Sequence, residues 1–251
     1  IDKDMEIHSM SKFKVEFSVN SHDTDQNGNL YPSVAQRYIH EAANLQLENS
    51  HPTMDELRYE QKKAFLLSRV SMALTRPLRK MENVTATTWA AGGKAASFYR
   101  CGELAVGDEV VGKLFSVWAL LDLETLRLCR VRDTELGLDI VEEYPLEAPS
   151  HIRFPKELVW EEMGKRRIFN SDIDLNGHMN NTNYPNMMCD FIPNIENSFV
   201  TAFSLGYLHE VKLGEELTVY HASEGDTHYI RTVRSDGSEN AQGVFVLEAV
   251  V

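Results

Sequence analysis

"DIDLNGHMNN", residues 172–181, crowds two carboxylates, three amides, a glycine and a histidine into one short turn-like stretch. An earlier stretch reads almost the same way. "HDTDQNGNLYP" at 22–32 aligns with "SDIDLNGHMNN" at 171–181, so that Asp23, Asp25, Asn27 and Gly28 match Asp172, Asp174, Asn176 and Gly177 at one offset, 172−23 = 149. Each copy follows a strand-like run, "FKVEFSV" or "ELVWEEMGKRRIF", and precedes a helix-like one. A repeat of that kind changes the fold assignment as a whole, because each copy becomes one structural unit.

The sequence beyond each copy follows one scheme. After the first, "SVAQRYIHEAANLQLEN" places Val34, Tyr38, Ile39, Ala42, Leu45 and Leu47 near helical spacing, with Gln36, Arg37, Glu41 and Asn44 opposite. Ala42 and Ala43 would let a sheet approach closely. After the second, "NNTNYPNMMCDFIP" is a shorter helix candidate, with Pro185 tolerable only in a first turn and Pro193 past the end. Met187, Met188 and Cys189 read as core filling. Downstream, each half turns to runs rich in β-branched and aromatic residues, such as "VTATTWAA" and "ASFYRCGELAV" in the first and "ELTVYHAS" and "HYIRTVRS" in the second. Strand, loop, helix, then several antiparallel strands, twice over, describes an α+β protein in which a helix lies on a strongly curved antiparallel sheet. The expected division is 1–134, a linker at 135–150 containing Pro145 and Pro149, and 151–251.

Composition narrows the function. The 38 acidic against 25 basic residues give a formal charge of −13, a field that repels nucleic-acid phosphates. No run of about 18 apolar residues is present, so no membrane span is expected. The start "IDKDMEIHSMSKFKVEF" lacks the apolar segment of a secretory signal, and a cytoplasmic protein is expected. Cys101, Cys129 and Cys189 have no CxxC spacing and read as reduced thiols.

Three readings compete for the repeated loop. The pattern D-x-[DN]-x-[DN]-G opens a calcium loop, but position 12, a bidentate Glu in such loops, is Val34 in one copy and Asn183 in the other. No metal is expected. Asn176-Gly177 suits a tight hairpin turn, though the following residues read as helix rather than strand. A loop whose Asp and Asn oxygens cap the helix start is the preferred plain reading for the first copy. In the second, Asp174, Asn176 and His178 stand at alternate positions and can face one side. The first copy has Asn29 where His178 stands, which suggests one live site and one structural relic.

"DIDLNGHMNNTNY" resembles the D-x-N-x-H-x-N-N-x-x-Y signature of the acyl-acyl carrier protein thioesterases, enzymes that release fatty acids from their carrier. "VVGKLFSVWALLDLETLR" resembles the family's first-domain strands, and "FSLGYLHEVKLGEEL" resembles the segment bearing its distal Glu. The resemblance implies a tandem double hotdog fold, each half a long helix wrapped by a curved antiparallel sheet, with catalysis in the second half. Residue by residue it implies Asp174, Asn176, His178 and Glu210 as the catalytic set, Asn181 and Tyr184 as substrate contacts, and no cofactor. Glu210 is expected on a strand beside the loop. Many members have Cys directly after that Glu; here the position is Val211, which leaves activated water as the expected nucleophile.

Thioester hydrolysis then needs a base, from among Asp174, His178 and Glu210, and an oxyanion donor, from Asn176 or amides at the helix start. The acyl chain would lie between helix and sheet, over bulky side chains of the first half. The expected partner is an acyl carrier protein, itself acidic. Arg76, Arg79, Lys80, Lys165, Arg166 and Arg167 are its candidate dock, although both runs also read as ordinary solvated faces. A homodimer stands as a further expectation. The alternatives are a hotdog enzyme acting on coenzyme A thioesters or eliminating water, and a lipid- or calcium-binding module.

Overall fold

The computed structural model describes residues 11–249; residues 1–10, "IDKDMEIHSM", lie outside them. The first half comprises β1 (Phe13–Ser18), α1 (Pro32–Glu48), β2 (Lys63–Leu74), β3 (Asn83–Lys94), β4 (Ser97–Val106), β5 (Glu109–Asp122) and the short β6 (Arg127–Leu128). The second comprises β7 (Glu161–Arg167), α2 (Tyr184–Cys189), β8 (Ser198–Tyr207), β9 (Glu216–Glu224), β10 (Thr227–Arg234) and β11 (Glu239–Ala249). Among the described residues no helix is long and apolar enough to cross a membrane.

All the strands join one antiparallel sheet in the order β1-β3-β4-β5-β2-β8-β11-β10-β9-β7, with β6 paired to β5. The two sides of the β2–β8 junction run through equivalent strands in opposite order, which is the duplication expressed as topology. At the junction Ser71 faces Ser204 in register, and their hydroxyls lie 2.7 Å apart. Two hotdog units therefore share a continuous sheet, each contributing a helix to its covered face.

Helix α1 starts at Pro32, whose fixed φ and missing amide suit a first turn. Val34, Tyr38, Ile39, Ala42 and Leu47 are buried as their spacing requires. Two positions differ from expectation: Leu45 is 38% exposed and Gln36 is fully buried. The helix is covered on two sides, by the sheet and by the start of α2, so part of its polar face is enclosed. Close approach to the sheet is visible at Gly102 of β4, where an added Cβ would lie 2.4 Å from Ile39. Ala42 and Ala43 are both buried.

The second half lacks the long helix expected of it. A single 3₁₀ turn at Asn181–Asn183 leads into six helical residues, with Pro185 in the first turn. Met187, Met188 and Cys189 fill the core beneath. The helix starts brace each other: the Ser33 amide donates to Asn186 Oδ1 (3.0 Å), and the Asn186 amide donates to Ser33 Oγ (2.9 Å). Each side chain thus satisfies an amide that its own helix cannot.

Residues 135–150 are packed rather than free-running. Ile140 bridges Ala90 of β3, the Trp89 indole donates to Glu143 O (2.9 Å), and the Tyr144 hydroxyl donates to Ala91 O (3.2 Å). They form a strap along the first half. Inside it, two polar residues interrupt the apolar interior. Arg100 of β4 is 9% exposed and donates from Nη1 to Gln46 Oε1 (2.8 Å) and Thr88 Oγ1 (3.2 Å). His40 of α1 packs obliquely on Trp118, ring centroids 5.5 Å apart, and its Nε2 has no hydrogen-bond partner among the described residues. Burial, helped by the Arg100 charge, pushes the His40 imidazole down to about 4.

Two outcomes follow from this packing. Ser33→Ala and Asn186→Ala should each destabilise by about 1–3 kcal/mol, since each leaves a polar group unpaired, and the double variant by clearly less than the sum; urea denaturation of the full cycle measures it. His40 is neutral in the fold and titrates near 6.5 when unfolded, so its contribution is complete above pH 6.5 and is lost as pH falls towards 4. The stability of the wild type should therefore fall more steeply than that of His40→Gln across that window, by up to roughly 3 kcal/mol.

Candidate active site

The repeated loops are the same structure. In each, a side-chain carboxylate accepts the amide two residues on, Asn27 N to Asp25 Oδ1 and Asn176 N to Asp174 Oδ1, both at 2.8 Å. Gly28 and Gly177 follow at φ +75° and +79°, which L side chains rarely adopt, and their amides donate to Asp25 O and Asp174 O at 3.0 Å. One antiparallel bridge closes each loop, Thr24 with Leu30 and Ile173 with Met179. The loop is thus a miniature hairpin, and Asp25 and Asp174 serve its own amides rather than capping a helix. Capping falls to Asn180, whose Oδ1 accepts the Thr182 amide (2.8 Å).

A single backbone bond delivers the distal carboxylate. The Met179 amide donates to Val211 O (2.9 Å), which seats the segment after β8 against the loop. His178 Nε2 and Glu210 Oε2 are then 3.0 Å apart. Glu210 is three residues past the end of β8, in irregular chain rather than on a strand as expected. The first half makes the equivalent bond, Leu30 N to Leu78 O (2.7 Å). The junction pair and these acceptors share one offset, 204−71 = 211−78 = 133, which puts Pro77 where Glu210 stands. With Asn29 for His178 and Pro77 for Glu210, the first loop cannot form the pair.

Asn176 is held at both ends. Its Oδ1 accepts from Arg58, and its Nδ2 makes one long bond to Asp174 Oδ2 (3.4 Å). That orientation leaves the amide NH₂ as a donor. The backbone amides expected to assist it are already used: those of Thr182 and Asn183 bond to Asn180, and that of Asn186 bonds to Ser33. Asp174, Asn176, Asn180 and Asn181 line a cavity of about 740 Å³, within the usual range for small-molecule sites. Its other wall comes from the first half, with Leu47, Phe65, Phe98 and Trp118 among the lining residues and Leu136 and Leu138 of the strap above.

Of the expected substrate contacts, Asn181 lines the cavity, and its carbonyl accepts the Tyr207 hydroxyl (2.9 Å). Tyr184 is 2% exposed, edge-on to Tyr207, and accepts from Asn240 Nδ2 (3.0 Å). It supports the loop from the core. Cys189 is buried, and its thiol is pushed up by burial and by Asp190, which disfavours a thiolate.

The basic runs divide. Arg166 grips Asp172 with two bonds of 2.8 and 2.9 Å, Lys165 pairs with Glu216 (2.8 Å), and Arg76 pairs with Glu82 (2.9 Å). Arg79 donates to Asn27 O (3.1 Å) and clasps the first loop. Lys80 and Arg167 are exposed. Sequence reasoning missed Arg58 and also Arg37, which donates to Thr182 Oγ1 (3.1 Å) and to Asn183. Arg37 stands on the exposed face of α1, as its spacing predicts, and reaches from there to the turn that precedes α2; nothing near Arg58 in the sequence signals its reach.

Comparison with known proteins agrees with this architecture. Residues 10–144 match the family model for the acyl-ACP thioesterase N-terminal domain, and residues 161–245 match that for the C-terminal domain. An acyl-ACP thioesterase from Bacteroides thetaiotaomicron superposes with a TM-score of 0.85 at 20% identity, over 94% of this chain and 98% of that one. The 12:0-ACP thioesterase from Umbellularia californica superposes at 0.80 and 16% identity, over 97% and 99%. No curated protein sequence matches the chain. With both domain models matched in order across the double hotdog, the chain belongs to the acyl-ACP thioesterase family of thioester hydrolases.

Proposed function

We propose that the His178–Glu210 pair activates water to cleave the thioester of a fatty acyl chain on acyl carrier protein, releasing the free acid and ending chain elongation. The 3.0 Å contact between the two side chains carries the reading. With its proton held at Nε2 by the Glu210 carboxylate, the imidazole presents Nδ1 as a base. Water attacks the carbonyl carbon while its proton passes to Nδ1. The tetrahedral oxyanion is held by Asn176 Nδ2, whose orientation Arg58 and Asp174 set. Collapse breaks the C–S bond, and the imidazolium proton goes to the departing phosphopantetheine sulfur. Asp174 acts by positioning Asn176.

The catalytic set belongs to residues 151–251, the acyl wall to residues 1–134, and the strap of 135–150 closes the cavity from above. Lys80 and Arg167, exposed and unpaired with any carboxylate among the described residues, are the basic groups best suited to meet an acidic carrier. Both halves of the site come from one chain, so a homodimer would not be needed for catalysis. The free thiols Cys101, Cys129 and Cys189 fit the reducing cytoplasm, where we place the reaction.

Thiol release from a set of acyl carrier protein thioesters, run beside the matching coenzyme A thioesters, tests the substrate class. A much higher kcat/KM on the coenzyme A set would replace the carrier. His178→Ala and Glu210→Ala should each lower kcat at least about 100-fold without altering the circular dichroism melt. Asn176→Ala should lower it about 100-fold, the loss typical of one oxyanion donor. Cys189→Ser should stay within about two-fold; an inactive yet folded Cys189→Ser protein would overturn the water mechanism.

A further inference from the structure

The acyl cavity has an unusual wall. Arg100 and His40 both line it, together with the loop residues Asp174 and Asn176, while Phe65, Phe98 and Trp118 make the surface around them apolar. Burial draws the Arg100 guanidinium down to about 10, so it remains a cation at neutral pH. Its partners, Gln46 and Thr88, are neutral, and no carboxylate among the described residues forms an ion pair with it. Glu135 and Asp139 also line the cavity but are exposed on the strap, away from any such pairing. A buried cation without a counter-charge is expensive, as is a buried nitrogen without a hydrogen-bond partner. The Nε2 of His40 is such a nitrogen, on the same cavity.

A plain hydrocarbon chain seated here would displace water and leave both groups facing methylenes. An oxygen on the chain removes both penalties. It accepts from the guanidinium and, according to the tautomer, either accepts from His40 Nε2–H or, as a hydroxyl, donates to the bare Nε2. We propose that this cavity is built for acyl chains carrying an oxygen function, a hydroxyl, keto or carboxylate group, received by Arg100 and His40. Such a site discriminates strongly, because the analogue lacking the oxygen leaves its polar groups unpaired. The inference rests on the thioesterase reading and names the substrate class for that same site.

The test uses the full chain and acyl carrier protein thioesters of matched length: unsubstituted, hydroxylated at different positions, keto-substituted, and terminally carboxylated. At least one oxygenated series should exceed the unsubstituted chain in kcat/KM by about 10-fold or more. In Arg100→Met that ratio should fall towards one, and Arg100→Lys should restore part of it. His40→Phe should lower the ratio independently, which keeps the test open if Arg100→Met fails to fold. The position of the preferred oxygen locates the pair along the chain, and its type separates an anionic ligand from a neutral one. Preference for unsubstituted chains throughout, or an oxygen preference that survives Arg100→Met, overturns the proposal while leaving the thioesterase reading intact. Release from none of the thioesters overturns both.

Discussion

The hydrogen bond from the Met179 amide to Val211 O is the constraint on which the site depends. It fastens a tight loop from before α2 to the irregular segment after β8, two parts of the chain about thirty residues apart. One residue to the amino-terminal side of each bonded partner, His178 and Glu210 are thereby brought within hydrogen-bonding distance. The loop contributes its own rigidity through the Asp174 carboxylate and the positive φ of Gly177. A base and its carboxylate partner, the roles proposed for this pair, must hold their separation to within a fraction of an ångström, and here backbone bonds on both sides do so.

The same bond exists in the first half, between Leu30 and Leu78, with the same loop and the same turn glycine. Duplication preserved the frame and changed what hangs from it. Asn29 and Pro77 occupy the places of His178 and Glu210, and Arg79 clasps the first loop. The frame is thus common to both halves, and the His178–Glu210 pair is a two-residue difference between them.

This explains what could be read from the sequence and what could not. The loops were legible because their requirements are local: an Asp to accept an amide two residues on, and a Gly where φ is positive. The core stripe of α1 was legible at Val34, Tyr38, Ile39 and Ala42 because one face meets the sheet. Gln36 was misplaced because the second half closes over that face of α1, where Tyr207 of β8 meets its side chain, and helical periodicity carries no information about so distant a partner. Glu210 was identified by resemblance, but its setting in irregular chain was not, since the β-rich pattern of "FSLGYLHEVKL" runs through it without a break. The reach of Arg58 and the placing of His40 and Arg100 on one cavity from α1 and β4 are products of tertiary packing, with no local spacing to announce them.

The unequal helices distinguish the two halves. α2 has only six residues, and Met187, Met188 and Cys189 turn inward from it to fill the second half; an added Cβ on Gly243 of β11 would lie 2.7 Å from Met188 Sδ. α1, with seventeen residues, extends beyond its braced start and stands over β4 and β5 with His40, Ala43 and Leu47 along the cavity. The half that carries the His178–Glu210 pair is therefore filled with side chains, and the half that carries Asn29 and Pro77 in their places supplies the apolar wall of the cavity. On the proposed reading, a thioester poised at Asn176 extends its acyl chain across the junction into the first half, and the residues of α1, β4 and β5 that line the cavity are the ones that would select the substrate.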